Sequence, residues 1–328
     1  MTDGVTEAEA RKVLVEAGER LLAENLVARS WGNLSLRLDE KTMAITPSGI
    51  PYTDLRPEMI VIVDIESGEW KGEWKPSGER ALHRAIYRMR PQANAIVHSH
   101  QSAASACAAS RVPVRANWGE VPCAAYALPS TSALAKATVA ALGDRPAVLL
   151  ANHGVFTVGA DMDEAFDRAR ALETACASFL ESKAATKLPC RPDKAWSAKD
   201  LESVDTMLGF SSFMSKAPFT LAWAERGREL PAVLDDLAQL VGAKVPSAAE
   251  WPRRPPKQDA LFIKGQGLLV RGQDAEALAM VVEKAARAAI CGEAIGGAVK
   301  IPAIEARLMH VVYKQSYAKR ARKAAVGK

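Results

Sequence analysis

The sequence lacks any run of about 18 uninterrupted apolar residues, so it offers no helix fit to span a bilayer. It also lacks a basic and then apolar leader. Residues 1–12, MTDGVTEAEARK, are polar and acidic, and the expectation is a cytoplasmic protein with no membrane partner. Cysteine is scarce: five, at positions 107, 123, 176, 190 and 291, an odd number without a CxxC pair, which argues against a disulfide framework or a thiolate metal site. An excess of one charge is missing as well. The net charge is +5, much of it in residues 314–328, where Lys319, Arg320, Arg322 and Lys323 cluster. No nucleic-acid-binding module accompanies them, so they read as a solvated helix end and no nucleic-acid partner is expected. Histidine is equally sparse, five in 328 residues, which makes each position informative.

What is present is ordinary globular material, 48% hydrophobic and 25% charged, in a chain longer than one core normally takes. Two domains, or one enlarged domain, are expected. The stretch that organises the rest is residues 75–101, KPSGERALHRAIYRMRPQANAIVHSHQ. Ser77 caps a helix expected to carry Glu79, His83 and Tyr87 on one face, because they are spaced by four. A turn at Arg90-Pro91 leads to the apolar strand Ala95-Ile96-Val97, which ends in His98-Ser99-His100. Side chains two apart on a strand point the same way, so His98 and His100 can present two imidazoles to one point. That is metal-ligand geometry, and it asks for a third donor. A second apolar strand, Ala147-Val148-Leu149-Leu150, ends in Asn152-His153-Gly154, and His153 takes that role. His83, on the same helix face as Glu79, reads as a structural, hydrogen-bonded histidine instead.

Around this centre, Thr6 and Glu9 form a capping box for a first helix expected to run about twenty residues, to near Ala28. Residues 34–38, LSLRL, alternate strictly and read as a half-buried strand; Met43-Ala44-Ile45 and Ile60-Val61-Ile62-Val63 are further strands. Gly32, Asn33, Ser48 and Gly49 sit in turns that could cradle an anion, or simply close hairpins. Residues 187–199, with Pro189 and Pro192, read as a linker between a first domain over 1–186 and a second over 200–328. The second domain partly repeats the first. Residues 260–274 align without gaps on 147–161, with Gln266 at the place of His153, and 219–224 align less closely on 95–100, with Ala222 and Ala224 for His98 and His100. A degenerate copy without metal ligands is the expectation.

Taken together, Ser30-Trp31-Gly32-Asn33-Leu34-Ser35, Ile45-Thr46-Pro47-Ser48-Gly49-Ile50-Pro51, Pro76-Ser77-Gly78-Glu79, Val97-His98-Ser99-His100, Pro122-Cys123-Ala124-Ala125-Tyr126 and Asn152-His153-Gly154 resemble the class II aldolase/adducin family over about residues 8–185. The resemblance implies a three-layer α/β/α domain with a central mixed, largely antiparallel sheet. It implies Zn2+ (alternatives Mn2+ or Fe2+) held by His98, His100 and His153, Glu79 as the catalytic acid/base, and Gly32, Asn33, Ser48, Gly49 and Ser77 as substrate-binding residues. The implied activity is a metal-dependent carbon–carbon lyase of aldolase type, working on a small hydroxy-carbonyl or sugar-phosphate-like substrate through a metal-stabilised enediolate. Family members are often fourfold rings, which a tandem duplication would build as a dimer, so a homo-oligomer, dimer or tetramer, is implied too. Two residues depart from the family pattern: Gly78 stands where a second serine is common, and no tyrosine lies between Tyr87 and Tyr126 to act as a second proton donor. The alternative on the same scaffold is a decarboxylase of a hydroxylated carboxylic acid; an epimerase, a dehydratase or a non-enzymatic adducin-like scaffold ranks lower.

Overall fold

Thr6 starts the first helix as the capping box requires: its hydroxyl accepts from the Glu9 N–H at 3.3 Å, and the Glu9 carboxylate accepts from the Thr6 N–H at 3.0 Å. This helix, α1 (Glu7–Ala23), stops short of Ala28 because Asn25 turns left-handed at φ 56°. The computed structural model describes residues 5–27, 31–183, 201–204, 212–252, 256–272 and 275–326, with side chains to 316. It divides into two units, Met1–Ser182 and Lys183–Lys328. The linker expected at 187–199 lies outside the described residues, as do the side chains of Lys319, Arg320, Arg322 and Lys323. No helix among the described residues is long and apolar enough to cross a membrane.

The first unit continues through β1 (Asn33–Arg37), β2 (Thr42–Ile45), β3 (Val61–Asp64), α2 (Arg80–Met89), β4 (Ala95–Ser99) and α3 (Ser102–Ala109). A small hairpin of β5 (Val114–Ala116) and β6 (Gly119–Val121) precedes β7 (Cys123–Ala124), α4 (Ser132–Leu142), β8 (Ala147–Leu150), β9 (Val155–Gly159) and α5 (Met162–Lys183). Seven strands form one sheet in the order β3-β2-β1-β4-β9-β8-β7, antiparallel throughout except for the parallel β7–β8 pair. Apolar side chains cover both faces. Leu14 and Leu21 of α1 and Phe166 of α5 pack with Leu34, Leu36 and Val97 on one side, while Leu82 and Ile86 of α2 and Leu134 of α4 pack with Met43, Ile96 and Val148 on the other. The domain is the expected α/β/α sandwich with a mixed, largely antiparallel sheet.

One strand differs from its sequence reading. The alternation in LSLRL suggests a half-exposed β1, yet the polar position Ser35 is 0% exposed. Helix α2 covers that face, and Ser35 bonds to two of its side chains, His83 and Tyr87. Polar–apolar alternation marks a solvated face only where nothing polar waits to meet it.

The second unit comprises β10 (Leu201–Val204), β11 (Ser212–Ser215), α6 (Pro218–Glu225), β12 (Leu230–Pro231), α7 (Asp235–Val241), β13 (Lys244–Val245), β14 (Ser247–Ala248), β15 (Ala260–Ile263), β16 (Gly267–Arg271), α8 (Ala275–Gly292) and α9 (Ala303–Val326). Its main sheet runs β10-β11-β16-β15-β14, with only β14–β15 parallel. That is the order and sense of β1-β4-β9-β8-β7. The helix capping repeats as well: Glu173 of α5 accepts from the N–H groups of Ala103 and Ala104 at the start of α3, and Glu283 of α8 accepts from those of Phe219 and Thr220 at the start of α6.

The match of 260–274 to 147–161 agrees with the paired hairpins β8–β9 and β15–β16. The match of 219–224 to 95–100 does not hold, because those residues lie in helix α6, which Pro218 opens. The counterpart of β4 is β11. His98 pairs across the sheet with Phe156, and Met214 pairs with Leu269, the residue aligned on Phe156. Met214 therefore holds the place of His98, and Lys216 that of His100. Glycine packing fixes this register. A Cβ on Gly154 would stand 2.4 Å from the Ser99 carbonyl oxygen, and one on Gly267 would stand 2.4 Å from that of Ser215.

Candidate metal centre

Three imidazoles meet at the end of β4. His98 is the last residue but one of the strand, His100 follows it, and His153 enters from the turn between β8 and β9. Their ring centroids are 4.7 to 5.0 Å apart, their ligating atoms all lie within 4.8 Å of one another, and all three residues are buried. The close approach depends on Gly154. Besides the Ser99 carbonyl, a Cβ there would stand 3.1 Å from the His100 ring and 3.3 Å from that of His98. The preceding Asn152 is left-handed, at φ 62°, and its side-chain carbonyl accepts from Arg111 at 3.0 and 3.2 Å. Arg111 anchors the turn that delivers His153.

The Nδ1–H of His98 donates to the Val155 carbonyl at 2.8 Å, which leaves the Nε2 lone pair facing the centre. That lone pair lies 3.0 Å from His100 Nε2 and 3.0 Å from Glu79 Oε2, while Glu79 Oε1 lies 3.3 Å from His153 Nε2. Electron-rich atoms converging this closely repel unless a positive charge sits among them. Three neutral imidazoles with a carboxylate beside them are a donor set for a divalent ion of the zinc type, so the residues present fit such a metal.

Glu79 precedes α2 as its N-cap residue and is not within the helix as its spacing suggests. Its N–H donates to Ser77 Oγ at 3.2 Å. Burial opposes its ionisation, but the neighbouring His98 and His153, with the hydrogen bond from Asn33, hold its carboxyl well below the usual range. Glu79 is a carboxylate at neutral pH.

The remaining sequence candidates fall into two groups. Asn33 is 5% exposed, and its side-chain nitrogen donates to Glu79 Oε2 at 2.8 Å, so it belongs to the centre itself. The loops bearing Ser48, Gly49 and Ser77 lie side by side, joined by the Pro47–Pro76 bridge. The expected cradle of backbone N–H groups is only partly available. The Ser48 N–H donates to the Lys75 carbonyl and the Ser77 N–H to the Thr46 carbonyl, so neither is free for an anion. Gly32 has a packing reason: at φ 82°, a Cβ there would stand 2.5 Å from the His98 carbonyl oxygen. Sequence reasoning missed Ser130. This exposed residue is left-handed at φ 62°, and its hydroxyl lies 3.2 Å from the point where a Cβ on Gly78 would be. A non-glycine residue held left-handed has no sequence signature; the adjoining Thr131 caps α4, its side chain accepting from the Leu134 N–H.

Residues 12–180 match the family described as Class II Aldolase and Adducin N-terminal domain. Among individual proteins, the chain is 36% identical over 171 residues to the 5-methylthioribulose-1-phosphate/5-deoxyribulose-1-phosphate aldolase of Rhodospirillum rubrum, a match covering 50% of this chain and 76% of that one. It is 29% identical over 188 residues to the 3-oxo-tetronate 4-phosphate decarboxylase of Haemophilus influenzae, covering 54% and 89% respectively. A solved L-fuculose 1-phosphate aldolase superposes with a TM-score of 0.53 at 30% identity, over 59% of this chain and 94% of its own. The chain belongs to the class II aldolase and adducin family. The family match ends at residue 180 and leaves the second unit outside it.

Proposed function

We propose that the chain is a metal-dependent carbon–carbon lyase of aldolase type, acting on a small hydroxy-carbonyl substrate that carries an anionic group. The observation that carries this reading is the ionised carboxylate of Glu79 within 3.3 Å of two of three converging imidazoles, one with its tautomer fixed. A divalent ion held by His98, His100 and His153, zinc or alternatively manganese or iron, supplies Lewis-acid polarisation of a substrate carbonyl. Glu79 moves the proton that bond cleavage or condensation requires. Asn33 orients that carboxylate through its N–H. Phe156 stacks flat on His98, centroids 4.3 Å apart, and keeps water from that side of the ring. The rim of partly buried Gly49, buried Ser77 and exposed Gly78 and Ser130 receives the anionic end of the substrate, with the Ser130 hydroxyl beside Gly78 as a donor.

A decarboxylase of a hydroxy-acid is the second reading, favoured by the absence of a tyrosine between Tyr87 and Tyr126 and by the relative of that activity. Elemental analysis followed by a panel of sugar phosphates, free hydroxy-ketones and hydroxy-acids, with aldehyde formation and carbon dioxide release both monitored, separates the two. No turnover on any of them by the metal-loaded protein would refute both.

Ser130→Ala is expected to raise KM for a phosphorylated substrate about 10- to 150-fold and leave kcat nearly unchanged, since a hydrogen bond to a charged group contributes about 1.5–3 kcal/mol and this one is made in ground and transition states alike. An unchanged KM removes Ser130 from the site. The same reading places the protein in the cytoplasm. It takes the second unit as a degenerate copy, supported by its strand order and by Met214, Lys216 and Gln266 in place of ligands, and makes the protein a homo-oligomer. Small-angle scattering should give at least twice the chain's 35.2 kDa, and a monomer would count against the oligomer.

A further inference from the structure

We infer that His83 is a positioning residue: through a one-way chain of hydrogen bonds from Tyr87 and Ser35, it turns the Asn33 amide so that an N–H holds Glu79 Oε2 and leaves Oε1 as the oxygen that carries the proton. The assignment to catalysis rests on the lyase reading above; the hydrogen-bond chain does not.

The direction of every bond follows from one end. The Asn33 amide turns its nitrogen to Glu79 Oε2, 2.8 Å away, and donates there. The Asn33 carbonyl then faces His83 Nε2 at 2.5 Å, and as a pure acceptor it requires the ring proton on Nε2. A neutral ring with its proton there has a bare Nδ1, so the Ser35 hydroxyl, 2.6 Å away, donates to it. Ser35 has spent its only hydrogen. The Tyr87 hydroxyl, 2.9 Å from Ser35 Oγ and 3.4 Å from the Asn94 carbonyl, gives its one hydrogen to the nearer Ser35 oxygen. Tyr87, Ser35, His83, Asn33 and Glu79 thus form a single file of donors pointing at the centre.

The hydrogen-bond chain is buried along its length. Ser35 and His83 are 0% exposed, Tyr87 1% and Asn33 5%. Arg37 lies over the Tyr87 ring at 4.7 Å and donates to the Tyr87 carbonyl, while Phe156 meets the His83 ring edge-on at 5.2 Å. Burial, reinforced by the nearby His98, pushes the His83 imidazolium down to about 3, so the ring is neutral at any working pH. A protonated His83 would donate at Nδ1 as well and force Ser35 to turn round. At the far end, Glu79 Oε1 is buried and accepts no hydrogen bond among the described residues. With Oε2 held by the Asn33 N–H, Oε1, 3.3 Å from His153 Nε2, is the oxygen left facing the centre.

The decisive measurement is the tautomer. In protein labelled with 15N-histidine, long-range proton–nitrogen NMR should find one histidine fixed as the Nε2–H form from pH 9 to pH 5, and its signals should be the ones lost in His83→Phe. Kinetically, His83→Phe should lower kcat about 10- to 100-fold, the usual cost of losing an outer partner of a site, with KM and metal content retained. His83→Gln, which can again donate to Asn33 and accept from Ser35, should recover most of that loss. An Nδ1–H form, or full kcat in a folded His83→Phe protein, overturns the proposal. If His83→Phe does not fold, Tyr87→Phe serves: it keeps the ring, assigns the signals by their shift, and should lower kcat and not KM, whereas unmoved signals would break the chain at its first link. The NMR result stands or falls whether or not any substrate turns over, so failure of the lyase reading and failure of the chain are distinguishable.

Discussion

Replacing His153 with alanine is expected to strip metal and activity together. The variant keeps two imidazoles at the end of β4 and the Glu79 carboxylate, and a divalent ion tolerates mixed donors, so some residual affinity is natural. Two features argue that little survives. His98 and His100 come from one strand end, and His153, delivered separately by the β8–β9 turn, is the one donor that would hold the ion from another part of the fold. Loss of an outer partner alone typically costs 10- to 100-fold in affinity, and loss of a direct donor costs more. Metal content after dialysis should fall to background, and turnover should fall with it by at least about a thousandfold, in proportion to the ion and not to the folded fraction. Circular dichroism and melting supply the control, because the turn itself is held by Asn152, Arg111 and Gly154 and not by the imidazole. A His153→Ala protein that holds a full complement of metal would show that the ion, if any, sits elsewhere.

That the three histidines could be picked out in advance has a simple cause. A strand has period two, and an apolar run that ends in a histidine aims it beyond the sheet edge, so two such ends separated by some 50 residues still announce one another. The carboxylate partner was legible through the family resemblance; spacing gave only a shared helix face with His83 and Tyr87, and Glu79 in fact caps the helix where a place inside it was expected. What failed were contacts whose partners are remote and individually ordinary. Ser35 looked like a solvated position until α2 was seen to cover it. Arg111 grips Asn152 across 41 residues, with no periodicity to betray it. The segment 219–224 is apolar enough for strand or helix, and only Pro218 and the strand already supplied by β11 decide for helix. Asn33 was read as a ligand for substrate because it sits in a glycine turn; its carbonyl is committed to His83 and one N–H to Glu79, which leaves a single N–H for anything else.

Glu79→Gln separates holding the ion from moving the proton. Glutamine matches glutamate in shape, and its carbonyl can still accept the Asn33 N–H, so the end of the hydrogen-bond chain has somewhere to go. The ligand histidines are untouched, and the only charge removed is one that burial disfavours and the neighbouring imidazoles sustain. Metal content should therefore stay close to that of the native protein. Turnover should not. General acid–base catalysis contributes about a hundred- to ten-thousand-fold, and an amide neither takes nor returns a proton in the working range, so kcat should drop by that factor while KM changes little. The contrast with His153→Ala is the useful result: one variant loses the ion and everything that follows, the other keeps it and stalls. Should Glu79→Gln turn over at the native rate with its metal in place, the proton is carried by another group. The hydrogen-bond chain through His83 would then orient a carboxylate whose purpose is electrostatic, tempering the charge of the centre before substrate arrives.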